Sequence, residues 1–161
     1  SDEQLETYAA KLGADCPFFI KGTPVYATGI GNEFHPIELD LSDMYLVVVK
    51  PDIFVSTKEA YSMVRPAKPA VTLDKKIMRP ITEWRDSISN DFEQGIFALH
   101  PELRAIKDKL YTLGATYAAM SGSGSALFGL FTSEVKNIEQ HFDGCFCQQQ
   151  KLPDSHRGDS K

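Results

Sequence analysis

The pattern of apolar and polar residues along the chain predicts short helices that alternate with short strands. Apolar residues at helical spacing predict five helices, over residues 3–12, 56–64, 77–88, 101–113 and 134–142. Pro101 and Gly114 are typical of the start of a helix and of the residue that ends one. Ser56 lies three residues before Glu59, a spacing that favours a capping box. Residues 65–76 are rich in proline and lysine and are expected to form a loop.

Runs of apolar, β-branched and aromatic residues predict the strands. They cover residues 18–20, 24–27, 37–39, 44–50, 115–120, 126–131 and 145–147. The strand predicted over residues 44–50 contains a continuous apolar run, 44–49, and is ended by Pro51. Such a run is typical of a central strand covered on both faces. From about residue 41 the order is strand, helices, strand, strand, helix and strand. This order predicts an α+β fold, the ferredoxin-like split βαβ sandwich with extra helix in its first crossover.

Composition limits the number of domains and the class of partner. The chain has 161 residues, 42% of them hydrophobic, which is enough for one domain with a core plus a piece of another. Because the sequence starts inside a predicted helix and without methionine, we expect a fragment whose front portion is missing. The net charge of −5 and the lack of a basic stripe argue against nucleic acid as a partner. The apolar runs are too short to span a bilayer, and we expect neither a signal peptide nor a membrane partner.

The cysteines favour a reducing compartment rather than a disulfide framework. There are three of them, an odd number, which indicates free thiols and a cytoplasmic protein. Cys145 and Cys147 lie close to His141, but zinc normally needs four ligands and no second cluster supplies them. We interpret the two cysteines as small buried side chains on one face of a strand, and we assign no metal site.

A run of glycine and serine separates the two strands predicted over residues 115–120 and 126–131. Its members are Ser121, Gly122, Ser123, Gly124 and Ser125. The backbone N–H groups of such a turn can all point into one concavity, and this arrangement binds anions, phosphate above all. A flexible linker is disfavoured because the run lies inside one hairpin. An ordinary turn without a ligand explains the pattern equally well.

Two acidic segments are further candidates for chemistry. Asp15 lies at a predicted corner between Gly13 and Pro17, where a rigidly held carboxylate could accept a proton from a hydroxyl. An Asx turn explains the same aspartate, and by spacing alone it is the better explanation. Asn90 precedes Glu93 by three residues, which fits a helix N-cap. A position near bound phosphates is the alternative for Asn90.

Four segments together resemble the GHMP small-molecule kinases, in which they occur in the same order. They are Gly13-Ala14-Asp15-x-Pro17-Phe18-Phe19, Val55-Ser56-Thr57, Asn90-Asp91-Phe92-Glu93 and Ser121-Gly122-Ser123-Gly124-Ser125. The resemblance implies that residues 41–148 form a GHMP kinase C-terminal domain and that residues 1–40 are a remnant of the N-terminal domain. Residues 149–161 are expected to form a disordered tail.

The resemblance also assigns roles to particular residues. It implies that Asp15 is the catalytic base and that the 121–125 segment lies beside the phosphates. Thr57 and Tyr61 would lie at a cytidine pocket, sharing one face of a helix because they are four residues apart. The Tyr61 ring would then stack on the cytosine; the alternative is that it packs in the core.

The activity implied is transfer of phosphate from ATP, with Mg²⁺, to a hydroxyl of a cytidine-diphosphate-linked methylerythritol in non-mevalonate isoprenoid precursor synthesis. The partner is thus a small-molecule cytidine diphosphate substrate. The family's lysine and glycine-rich ATP loop lie upstream of the segment matching Asp15 and are absent here, so we expect the chain alone to be inactive. Alternatives are a homoserine- or mevalonate-type GHMP kinase, or a non-catalytic ferredoxin-like ligand-binding module. The strands predicted in residues 14–40 would lack the partners of the missing domain, so this segment must be mobile, refold onto the C-terminal domain or pair with a second copy. We favour a homo-oligomer through the N-terminal remnant.

Overall fold

The computed structural model describes residues 1–13 and 15–153. The α-helices in this part of the chain are α1 (Asp2–Ala9), α2 (Phe18–Lys21), α3 (Thr57–Met63), α4 (Leu73–Ile77), α5 (Trp84–Ser87), α6 (Glu93–Leu99) and α7 (Pro101–Thr112). The strands are β1 (Val25–Thr28), β2 (Glu33–Pro36), β3 (Tyr45–Lys50), β4 (Tyr117–Met120), β5 (Leu127–Phe131) and β6 (Phe146–Lys151). Short 3₁₀ turns span Ile81–Glu83 and Ile138–His141. No described helix has the length and apolar character needed to cross a bilayer.

A four-stranded antiparallel sheet, with strand order β4-β5-β3-β6, forms the centre of the fold. Since β5 is antiparallel to both β3 and β4, the latter two are parallel and β5 lies between them. A parallel pair split by an inserted strand is the ferredoxin-like arrangement, so the predicted fold class is confirmed. The apolar strand β3 is central, as its composition predicted.

Two apolar layers cover the sheet, one on each face. Along β4, Ala118 and Met120 point to one face, while Tyr117 and Ala119 point to the other. Helices α3, α6 and α7 cover the first face with fully buried residues such as Leu110. Trp84 covers the second face: its ring packs edge-on against Tyr117 at 5.6 Å, and its indole N–H donates to the carbonyl of Arg79. The sheet is therefore a rigid support for the loop that joins β4 to β5.

The N-terminal segment differs from its predicted structure. The predicted strand over residues 18–20 is helix α2, because Pro17 already has helical angles and Gly22, at φ +62°, supplies a left-handed C-cap. The return strand is β2 rather than residues 37–39, and it pairs with β1 inside the chain. This pairing satisfies backbone groups that were expected to seek a second copy. Phe19 nevertheless stays 76% exposed, and self-association through this segment remains a prediction.

Four other predicted segments also differ in the structure. Pro80 divides the helix expected over residues 77–88, since it has no N–H to donate. Helix α4 begins within the expected loop. Asn137, at φ +52°, replaces the helix expected over residues 134–142 with a short 3₁₀ turn. Strand β6 continues through residues 149–151, which were assigned to a disordered tail, because the free edge of β3 pairs with them despite their polarity.

Residues 154–161 of the expected tail lie outside the described residues. The division into residues 1–40 and 41–148 remains a prediction.

Candidate phosphate-binding site

The glycine–serine loop connects β4 and β5, as the sequence predicted. Gly122 and Gly124 adopt φ values of +54° and +92°, and the Gly124–Ser125 peptide is cis. Two N–H groups are used inside the loop: that of Ser121 donates to the Ala126 carbonyl at 2.9 Å, and that of Gly124 to the Ser121 carbonyl at 3.0 Å. The expectation that all five N–H groups could face a ligand is therefore wrong.

Three other N–H groups of the loop are not used in hydrogen bonds inside it. Those of Gly122, Ser123 and Ser125 have no acceptor within residues 1–13 and 15–153. Ser125 is buried, whereas Ser123 is half-buried and Gly122 is exposed. Adjacent unpaired N–H groups in a turn with left-handed glycines match the chemistry of an anion-binding nest. The loop is suited to bind one phosphate group of a larger ligand.

The segment that follows β3 holds the tip and the exit of this loop. The Ser125 hydroxyl donates to the carbonyl of Ile53 at 2.5 Å. The Thr57 hydroxyl lies 3.2 Å from the Ser123 hydroxyl, close enough for a hydrogen bond. Thr57 is the first residue of α3, whose start is capped by the Ser56 hydroxyl accepting from the Glu59 N–H. Thr57 thus contacts the 121–125 loop directly, a contact that the sequence did not indicate.

Asn90 holds the entrance of the loop. Its side-chain amide donates to the carbonyls of Met120 and Gly122, both at 2.8 Å. Its carbonyl oxygen accepts from the Phe92 N–H at 2.9 Å. The Asn90 side chain thus contacts both the backbone that leads into α6 and the 121–125 loop, and a position near bound phosphates stays a prediction. The N-cap of α6 is Phe92, however, and Glu93 does not close a capping box with Asn90.

Glu93 and Lys107 form a largely buried ion pair beside the loop, which the sequence did not indicate. One carboxylate oxygen of Glu93 accepts from the Met120 N–H at 2.8 Å, and the other lies 2.5 Å from the Lys107 ammonium nitrogen. Glu93 is only 8% exposed. The two residues are fourteen positions apart on different helices, so no local spacing pattern marks them as a pair.

Side chains also cover the rest of the outer edge of β4, whose residues are all buried. The Tyr111 hydroxyl accepts from the Ala118 N–H at 3.1 Å and donates to its carbonyl at 3.2 Å. Burial raises the pKa of this hydroxyl above its ordinary value. The edge of β4 is thus satisfied by side chains, where another strand would otherwise pair.

Asp15 lies against the turn between β1 and β2. Its carboxylate is exposed, and a β-carbon at Gly31 would stand 2.7 Å from its Oδ1 atom. Pro17, two residues later, has no N–H to close an Asx turn, which removes the simplest structural explanation. No hydrogen bond or ion pair among the described residues joins Asp15 to the 121–125 loop. Ala14 of the same motif lies outside the described residues.

Tyr61 is a surface residue, not a core residue. Its side chain is 66% exposed, and its ring meets Phe92 edge-on with centroids 4.9 Å apart. The core interpretation of Tyr61 is therefore wrong. Since Tyr61 follows Thr57 by one helical turn, its ring lies on the side of α3 that carries the contact to Ser123. Because most of its side chain is exposed, the Tyr61 ring has surface open for stacking.

The family model described as GHMP kinases C terminal matches residues 75–145. The 4-diphosphocytidyl-2-C-methyl-D-erythritol kinase of Parabacteroides distasonis is 53% identical over 151 residues, 93% of this chain and 56% of that relative. A relative of the same name from Bacteroides fragilis is 51% identical over 152 residues, 94% of this chain and 56% of the relative. The chain thus spans little more than half the length of the curated relatives it matches.

Solved structures agree with the sequence comparisons. The crystal structure of a 4-(cytidine 5'-diphospho)-2C-methyl-D-erythritol kinase is similar with a TM-score of 0.74 and 30% identity, covering 90% of this chain and 55% of that one. A homoserine kinase from Cytophaga hutchinsonii has a TM-score of 0.55 at 18% identity, covering 75% of this chain and 45% of that one, and shows a likeness of fold alone. Residues 75–145 therefore belong to the GHMP kinase C-terminal family.

Proposed function

We propose that this chain forms the C-terminal half of an ATP-dependent kinase that phosphorylates a hydroxyl of 4-diphosphocytidyl-2-C-methyl-D-erythritol, in non-mevalonate isoprenoid precursor synthesis. Likeness to kinases of that name over more than nine-tenths of the chain supports the substrate. The observation that carries the chemistry is the 121–125 loop, whose three unpaired N–H groups are held in place by contacts from two separate segments. We further propose that the protein is located in the cytoplasm.

The proposed mechanism depends mainly on positioning, as phosphoryl transfer generally does. The N–H groups of Gly122, Ser123 and Ser125 would donate to phosphate oxygens, on which negative charge is spread. No cluster of three carboxylate, histidine or cysteine side chains occurs within the described ranges. Mg²⁺ would enter with the ATP phosphates, whose charge it neutralises.

Asp15 is the proposed general base. Its carboxylate is exposed and has no structural hydrogen bond within the described part of the chain, which leaves it free to accept the proton of the substrate hydroxyl. Gly31, at φ +92°, allows the β1–β2 turn to approach this carboxylate closely. The turn therefore restricts the carboxylate, and a restricted base is more effective than a mobile one.

Tyr61 is the proposed platform for the cytosine ring, with Thr57 setting its distance from the loop. Base–aromatic stacking contributes about 1–3 kcal/mol per base. We therefore expect loss of the ring to weaken binding of the cytidine substrate and to leave ATP binding unchanged.

These roles are tested in a chimeric kinase, in which this chain replaces the matching part of the Parabacteroides distasonis relative. Asp15→Asn should lower kcat by about a hundredfold or more, since it keeps the size but removes the base. Asp143→Asn, at another exposed aspartate, is the matched control and should leave kcat unchanged. An Asp15→Asn enzyme within a few-fold of the unmodified chimera would exclude Asp15 as the base.

The Tyr61 role is tested in the same chimera. Tyr61→Leu should raise KM for the cytidine substrate about tenfold with KM for ATP unchanged. Tyr8→Leu is the matched control, because Tyr8 is 64% exposed and belongs to α1. Equal KM values for the cytidine substrate in both variants would show that Tyr61 does not stack on cytosine.

A further inference from the structure

We propose that Asn90 is a positioning residue for phosphate binding, and that the Glu93–Lys107 pair supports it. This inference rests on the proposed role of the 121–125 loop. None of the three residues needs to touch the ligand. They act on the peptide units that point N–H groups toward it.

Asn90 sets the orientation of one peptide unit in the loop. The carbonyl of Gly122 and the N–H of Ser123 belong to the same planar trans peptide, so they point in opposite directions. The Asn90 amide donates to this carbonyl at 2.8 Å. It therefore fixes the plane and directs the Ser123 N–H away from Asn90. That N–H is one of the three in the loop without an acceptor among the described residues.

The Asn90 side chain is itself anchored by hydrogen bonds. Its amide also donates to the Met120 carbonyl at 2.8 Å, and its own carbonyl accepts from the Phe92 N–H at 2.9 Å. Three hydrogen bonds to backbone atoms leave the side chain little rotational freedom. A glycine peptide would otherwise rotate readily, because glycine has few steric restrictions. Asn90 thus supplies the rigidity that the glycine residue lacks.

The residues that hold the loop add no net charge near it. Asn90 donates hydrogen bonds without bringing a negative charge close to an anion. The Glu93 carboxylate accepts from the Met120 N–H at 2.8 Å. An isolated carboxylate this close to the loop would repel phosphate. Lys107, at 2.5 Å from the other carboxylate oxygen, balances that charge. The pair therefore fixes the loop entrance without adding net charge.

The test uses the full 161-residue chain and follows its amide signals by ¹⁵N NMR during titration with pyrophosphate. In the unmodified chain, the Gly122, Ser123 and Ser125 amides should shift as pyrophosphate binds. Asn90→Ala should move the Ser123 amide signal in the free protein and weaken pyrophosphate binding about tenfold. Gln149→Ala is the matched control, because the Gln149 side-chain amide makes two hydrogen bonds to the Val135 backbone on the far edge of the sheet.

The outcomes separate this inference from the proposed function. Unchanged Ser123 signals and unchanged affinity in Asn90→Ala, with normal binding by the parent chain, would overturn the positioning role alone. Absence of any pyrophosphate-induced shift in the 121–125 amides of the unmodified chain would overturn phosphate binding by the loop and the inference with it. If Asn90→Ala does not fold, Asn90→Asp keeps the shape and the bond to Phe92 but cannot donate. An unchanged Ser123 signal in the ligand-free Asp variant would then overturn the proposal.

Discussion

Removing Lys107 should destabilise the fold more than its position on a helix surface suggests. Lys107→Met keeps the length of the side chain but leaves the Glu93 carboxylate without its cation. The side chains of Glu93 and Lys107 are 11% and 19% exposed, respectively, so water replaces the lost partner poorly. Breaking a buried pair from one side costs about 3–5 kcal/mol. Because some exposure remains, we expect a value near the lower end, about 3 kcal/mol.

A double-mutant cycle isolates the pair from other effects. Glu93→Gln should cost about 1–2 kcal/mol, since the neutral amide oxygen still accepts from the Met120 N–H. In the double variant, Lys107→Met no longer leaves a buried charge. The double variant should therefore lose less free energy of unfolding than the sum of the two single losses, by about 2 kcal/mol.

Urea denaturation, followed by the fluorescence of the single tryptophan Trp84, measures the free energy of unfolding of each variant. Lys109→Met on the same helix is the matched control. Lys109 is exposed and has no ion pair within the described residues, so its loss should change stability by less than about 0.5 kcal/mol. A Lys107→Met variant as stable as Lys109→Met, or a double variant whose cost equals the sum, would refute this account of the pair.

Two further predictions concern tyrosine ionisation and loop geometry. Burial raises the pKa of Tyr117 and, to a smaller degree, of Tyr111 above the usual value of 10.0. Because the folded-state pKa is raised, the contribution of these tyrosines to the free energy of unfolding is complete below pH 10. It is lost as the pH rises further, since the unfolded chain ionises first. The urea midpoint should thus fall steeply above pH 10, and Tyr117→Phe should flatten this fall; an unchanged slope would contradict it. Gly124→Ala places a β-carbon 2.7 Å from the Met120 sulfur at φ +92°, so it should cost about 1–3 kcal/mol for the backbone and more for displacing Met120. Gly114→Ala, at φ +101° in open space, carries the backbone cost alone, and equal urea midpoints for the two glycine variants would exclude the Met120 clash.

The central part of the fold was predictable because burial and local pattern agree there. Strand β3 is apolar on both faces since the sheet is covered on both sides, and α7 carries its start and stop residues in the sequence. Strand β6 was predicted too short, because pairing with β3 overrides the polar character of its glutamines. The Phe18–Lys21 helix was mistaken for a strand, since three apolar residues in a row carry no periodicity.

The candidate site was predictable only where its signal is local. The glycine–serine run marks the loop, and the spacing of Thr57 and Tyr61 places them on one helix. Which N–H groups remain free depends on hydrogen bonds closed within the folded loop. The contact between Asn90 and Gly122 spans 32 positions, and the Glu93–Lys107 pair joins two helices. Such contacts follow from the packing of α6 and α7 against β4, which no local pattern specifies.

The most direct test of the proposed kinase role is phosphoryl transfer by the chimera of this chain with the remainder of the Parabacteroides distasonis relative. ADP release is measured with Mg-ATP and, in turn, 4-diphosphocytidyl-2-C-methyl-D-erythritol, homoserine or mevalonate as acceptor. We expect turnover by the chimera with the cytidine substrate only, and none by the 161-residue chain alone. Turnover with homoserine or mevalonate instead would assign another GHMP kinase activity. No turnover by a folded chimera with any acceptor, or turnover by the chain alone, would contradict the proposed function.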